Sequence, residues 1–169
     1  HKPAQASYNI WDDLLDILAI ADTMGWESFN LLGHSRGAIM TMLLGTTMPE
    51  RVAAMVMLDG VLPQPVQADG AVKQLTRYLL GQRSVHKKRL PQYVSIDEAV
   101  TARCQAAMMT EASARPIVER GLKKRDNHYH WSSDPRLTTA SAFKLTEDHN
   151  KAFLDSISIP HLLIIARQG

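Results

Sequence analysis

Over residues 9–59 the apolar positions alternate between helical spacing and consecutive runs. Trp11, Leu14, Leu15, Leu18 and Ala21 fall on one face of a helix, with Asp12, Asp13, Asp16 and Asp22 mostly away from it. Asn9 is placed to cap this helix, Asp12 suits its N-terminal dipole, and Gly25 can end it in the left-handed conformation. Phe29-Asn30-Leu31-Leu32 is a short apolar run fit for a buried strand, which Trp26 and Phe29 help to pack. Past a glycine-rich turn, Ile39, Met40, Leu43 and Leu44 return to helical spacing until Pro49 stops them. Ala53 to Leu58 is a second apolar strand. Helix, strand, turn, helix, strand is the alternation of an α/β fold, a parallel sheet with helices on its faces.

After Asp59-Gly60 the pattern changes. Val61-Leu62-Pro63-Gln64-Pro65 is a proline-interrupted exit from the strand, and residues 70–125 are helical and polar-rich without strand alternation. Ser95-Ile96-Asp97-Glu98 has capping-box form and opens a helix carrying Ala99, Val100, Ala102, Arg103 and Met108. Gly121 is placed to end the following helix, which Pro116 makes begin late or kink. His128 to Ser133 suits a short extended piece and Asp134-Pro135 a turn. Thr146 caps a last helix through about Asp155, and Ile159-Pro160 leads into Leu162-Leu163-Ile164-Ile165-Ala166, an apolar run that reads as a buried strand. The expected organisation is a core over residues 1–60, a largely helical insertion over 61–157, and a return to a core strand over 158–169.

Composition changes this picture little. The 169 residues are 45% apolar and 21% charged with a net charge of +2, enough for one domain with a real core and no electrostatic case for nucleic acid. The basic run Arg83, His86, Lys87, Lys88, Arg89 reads as a solvated surface rather than a nucleic-acid face. Cys104 stands alone, so no internal disulfide can form, and a reducing, cytoplasmic location is expected. No apolar run approaches the ~20 residues of a membrane span. His1 is no initiator and Gly169 follows a strand directly, so the chain reads as an internal piece of a longer protein.

The chemistry centres on Gly33-His34-Ser35-Arg36-Gly37, a G-x-S-x-G motif with a strand before it and a helix after it. With its elements in that order, the chain resembles the α/β-hydrolase superfamily from end to end. The "PERVAAMVMLD" strand, the helical insertion and "IPHLLIIA" keep that order, the insertion standing where the family has its cap. "SIDEAVTARCQ", "IVERGL" and "DPRLTTASAFKLTEDHNKAFL" look like its serine hydrolase-like branch. The resemblance implies that Ser35 is a nucleophile on a strained turn, that Gly33 and Gly37 let the backbone fold tightly there, and that His34 packs beside the serine. It also implies that the backbone N–H of Arg36 is one oxyanion donor, the second lying N-terminal to His1. A Ser at this position argues against the dehalogenase and epoxide hydrolase chemistries of the superfamily, which use Asp.

A serine hydroxyl needs a base, and the base a group to orient it. None of His1, His34, His86, His128, His130, His149 and His161 fits the family's place for the base, which would lie beyond Gly169. Two readings stand for Asp59, 24 residues past Ser35: the triad acid that some members carry at the end of this strand, or a residue capping its turn before Gly60. The commoner acid position falls on Gly169. The Arg36 side chain either enters the pocket, pairs with a carboxylate of the cap, or faces solvent. His128 and His130 are two ligands and make no metal site. Met108 and Met109 either line an acyl pocket or pack between helices, and Cys104 reads as a buried small hydrophobe.

The expectation is a serine hydrolase acting on a small ester or related acyl substrate through an acyl-enzyme on Ser35, with no cofactor, metal, nucleic acid or membrane span and with its oligomeric state open. Its rival is a non-catalytic protein of the same fold that binds a ligand or partner.

Overall fold

The structure is a computed structural model; it describes residues 3, 8–85 and 90–167. The elements in order are α1 (Ile10–Thr23), β1 (Phe29–His34), α2 (Arg36–Thr47), β2 (Val52–Leu58), α3 (Ala71–Ser84), α4 (Ile96–Ala107), α5 (Glu111–Gly121), β3 (Leu122–Arg125), β4 (His128–Trp131), α6 (Glu147–Asp155) and β5 (His161–Ile164). They divide into two compact units, one of residues 7–80 and 140–169 and one of residues 1–6 and 81–139.

The first unit holds a parallel sheet of order β1-β2-β5. Asn9 caps α1 by accepting the Asp12 N–H, and Gly25 takes φ 69° just past the helix, which lets the chain turn into β1. The apolar centre joins Ala38, Met42 and Leu43 of α2 to Met55 and Met57 of β2 and to Leu145, with Ile10 and Leu14 of α1 and Phe153 of α6 packed on it. α2 is buried along most of its length. α1 is not: Leu15 is 65% exposed, Ile20 is exposed, and Ala21 alone is fully buried on that helix.

β1, read as a buried strand, buries only Gly33 and leaves Leu32 exposed, and the last strand departs further from expectation. It was expected to be buried, yet every residue of β5 is exposed, with Leu162 at 53% and Ile164 at 50%. It pairs with β2 on one side only, so its outer edge has no partner strand among the described residues.

The second unit packs α4 and α5 together with the hairpin β3–β4 around Ala99, Val100, Ala114, Val118 and Leu122. Ser95 accepts the Glu98 N–H at the start of α4, and the Glu98 carboxylate accepts the Val94 N–H. Pro116 does not delay α5, which runs from Glu111 to Gly121 with the proline inside it. Thr110 caps the helix at Glu111, and burial of Ala114 and Val118 on either side of the proline holds the turn together. Gly121 ends α5 for space rather than conformation, since a Cβ there would come within 2.5 Å of the Trp131 ring. Met108 does not pack between helices: it closes α4 in the left-handed conformation and is 96% exposed. Met109 and Cys104 pack on the unit's core. Asp134 and Arg136 form a buried ion pair at 2.7 Å, and Arg136 also donates to the Pro3 carbonyl. In the basic run, Arg83 is exposed and residues 86–89 lie outside the described ones.

Candidate active site

Because β1, β2 and β5 are parallel, their C-terminal ends lie along one edge of the sheet. The register sets His34 beside Leu58 and Leu58 beside Ile164, so the residues that follow each strand are also neighbours. These are Ser35 after β1, Asp59 after β2, and Ile165-Ala166 after β5. Backbone bonds fix the row: Ser35 N–H donates to Leu58 O at 2.9 Å, and Asp59 N–H donates to Ile164 O at 2.7 Å.

Ser35 stands between β1 and α2 with φ 52° and ψ −117°. A positive φ on a residue with a Cβ costs about 1–3 kcal/mol and persists only where its surroundings impose it. Here they do. A Cβ on Gly33 would lie 2.2 Å from the Gly37 carbonyl oxygen, and one on Gly60 would lie 2.8 Å from the Ser35 carbonyl oxygen. The strand before the serine and the loop after β2 therefore close on the turn from two sides. Gly37 is different, for a Cβ there would meet nothing within 4 Å. The tight approach expected of both motif glycines is met at Gly33 and Gly60.

Ser35 is an exposed residue, and its hydroxyl makes no capping bond to α2. Its carbonyl accepts the Ala38 and Ile39 N–H groups, and the Arg36 and Gly37 N–H groups find no acceptor among the described residues. Two free N–H groups at the positive end of a twelve-residue helix, next to an unbonded hydroxyl, can hold developing negative charge.

Asp59 also has a positive φ, 49°, and its carboxylate accepts the Ala166 N–H at 3.3 Å. The Asp59 carboxylate is thus bonded across the sheet end to the loop after β5. His34 is exposed beside Ser35. Among the described residues no histidine is hydrogen-bonded to Ser35 or Asp59. His128 bonds the Asp126 carbonyl, His149 closes the cap of α6, and His161 bonds the Ile159 carbonyl. His1 and Gly169 lie outside the described residues.

Arg36 does not pair with a carboxylate of the inserted region. Its Nη2 donates to Asp13 of α1 at 2.5 Å, and its Nη1 lies 3.7 Å from the Met40 sulfur. Asp13 was missed in the sequence, where it is one of four aspartates on the polar side of α1 and nothing separates it from the others.

A cavity of about 200 Å³ lies in the same unit, with an almost wholly apolar wall that includes Val66, Ala71, Phe143 and Thr146. Its lining includes none of Ser35, Arg36 and Asp59. No helix among the described residues is long and apolar enough to cross a membrane.

Comparison with known proteins bears on the family and the fold. A serine hydrolase-like protein of Dictyostelium discoideum is 24% identical over 174 residues, covering 97% of this chain and 47% of its own. A serine hydrolase-like protein of Danio rerio is 19% identical, covering all of this chain and 53% of its own. The chain thus spans about half the length of these curated relatives. The crystal structure of a hypothetical protein from Pseudomonas aeruginosa PAO1 superposes with a TM-score of 0.95 at 38% identity, over all of this chain and 60% of that one. The family model described as the alpha/beta hydrolase fold matches residues 1–169, and the chain belongs to that family.

Proposed function

We propose that the protein is a serine hydrolase that cleaves a small ester or related acyl substrate through an acyl-enzyme on Ser35. One observation carries the reading: an exposed serine held at φ 52° at the C-terminal edge of a parallel sheet, its hydroxyl and the two N–H groups beside it without hydrogen-bond partners among the described residues. The serine oxygen attacks the carbonyl carbon while a histidine outside these 169 residues takes its proton. The Arg36 N–H holds the oxyanion, and the intermediate then collapses as the leaving group departs with that proton. Water repeats the sequence on the acyl-enzyme and frees the acid. Asp59 is the group that orients the histidine, which its place one strand over from Ser35 and its backbone anchor at Ala166 support. Residues 61–157, inserted between the strands β2 and β5, stand where the family has its cap, although 61–80 and 140–157 fall in the unit that holds the sheet. No cofactor enters any step.

The test uses the full-length protein. A fluorophosphonate probe is expected to label it and to leave Ser35→Ala unlabelled. In Asp59→Asn, kcat on a responsive ester should fall by roughly 10³-fold or more, as expected when the histidine loses its orienting carboxylate. Equal labelling of the wild type and Ser35→Ala would overturn the nucleophile, and an unchanged kcat in Asp59→Asn would overturn the acid.

A further inference from the structure

Resting on that reading of Ser35, the geometry points to Asp13 as a positioning residue for the oxyanion hole. The problem it answers is electrostatic. α2 begins at Arg36, so a cationic residue stands in the first turn of the helix, where positive charge is unfavourable, and its guanidinium lies against the Met40 sulfur and Asp13. The usual remedies are absent. Ser35, at the capping position, gives no side-chain bond, and the first turn of α2 contains no acidic residue. A carboxylate placed there would also be costly to catalysis, since it would occupy the free N–H groups and repel a developing oxyanion.

Asp13 supplies the negative charge from another helix. Its side chain is 14% exposed and meets Arg36 at 2.5 Å, across 23 residues of chain. The pair gives Arg36 a carboxylate partner and ties the first residue of α2 to the first turn of α1, itself held by the Asn9 cap. The Arg36 and Gly37 N–H groups stay free. Because the Arg36 N–H belongs to the peptide joining it to Ser35, a guanidinium held on one side steadies the donor that must meet the oxyanion. Asp13 touches no reacting atom; it acts through Arg36.

The experiment is steady-state kinetics and fluorophosphonate labelling of the full-length protein, with Asp13→Ala, Asp13→Asn, Arg36→Ala and the double variant Asp13→Ala/Arg36→Ala. Removing a single oxyanion donor costs about 10²–10³-fold, so loosening one should lower kcat by about tenfold with KM within about twofold. Asp13→Ala and Arg36→Ala are expected to lower kcat alike, the double variant no further, and Asp13→Asn less. Asp22→Ala, which breaks the Arg51–Asp22 pair on the same helix, should leave kcat unchanged and so controls for loss of any ion pair on α1. If Asp13→Ala proves unfolded by its melting curve, the isosteric Asp13→Asn decides alone. Wild-type kcat in the Asp13 variants, or losses that multiply in the double variant, would overturn the positioning role while leaving Ser35 in place. A wild type that no probe labels at Ser35 would overturn both.

Discussion

Gly33 leaves no room for a methyl group, and Gly37 has room to spare. The two glycines are equivalent in the motif, but only the first faces the backbone of the turn it helps to form. Gly33→Ala must therefore push β1 away from α2, an overpacking that costs about 1–3 kcal/mol or more. Gly37→Ala lies in the first turn of a helix with open space around it, where alanine is favoured over glycine by up to about 1 kcal/mol. Urea denaturation of the full-length protein should show a lowered midpoint for Gly33→Ala and an unchanged or raised one for Gly37→Ala. The opposite order would mean that the turn is shaped otherwise. The sequence marked both glycines because the motif is local and needs only spacing. It could not mark Gly60 or Asp13, whose roles depend on chain that returns from elsewhere. The same holds for Asp59, whose position after β2 was legible while its bond to Ala166 was not.

Among elements, those whose ends are fixed by neighbouring residues were the readable ones. Asn9, Ser95 and Thr146 each cap a helix through their own side chain, as their sequence context predicts. β3 was not foreseen, because Leu122-Lys123-Lys124-Arg125 has no alternation and only Leu122 turns into the core. The signal for it lay in the turn: Asp126 and Asn127 take φ of 48° and 62°, and these two residue types tolerate that region best after glycine. α5 runs through Pro116 because burial of residues on either side offsets a local cost that periodicity cannot weigh. The cap of α6 is a fair test of how much one local device contributes. Thr146 accepts the His149 N–H, and the His149 ring accepts the Thr146 N–H in return. Thr146→Ala should lower stability by about 1 kcal/mol, read as a fall in the denaturation midpoint of the full-length protein. No change in the midpoint would mean that packing of Phe153 on the core suffices to hold α6.

At the scale of the molecule, the whole-chain charge conceals an uneven distribution. Residues 1–6 and 81–139 carry 12 lysines and arginines against six aspartates and glutamates; the remainder carries seven against 11. The sum, +2, leaves little net repulsion to keep copies of the chain apart. The sheet supplies the attraction. β1 and β5 are its outer strands, and Leu32, Leu162, Ile164 and Ile165 on or beside them are each at least half exposed. Strand edges with apolar side chains are templates for pairing with another chain. That exposure is why burial of β5 could not be judged from its sequence: an apolar run states what a strand can bury, not whether its partner is among the same residues. The 169-residue chain expressed by itself should therefore self-associate and show no esterase activity, as a rising apparent mass with concentration in sedimentation would reveal. Salt should not disperse the assemblies, because apolar contact rather than charge drives them. A monomer at tens of micromolar with a single cooperative melt would show instead that α2 and β2 bury enough to hold the sheet alone.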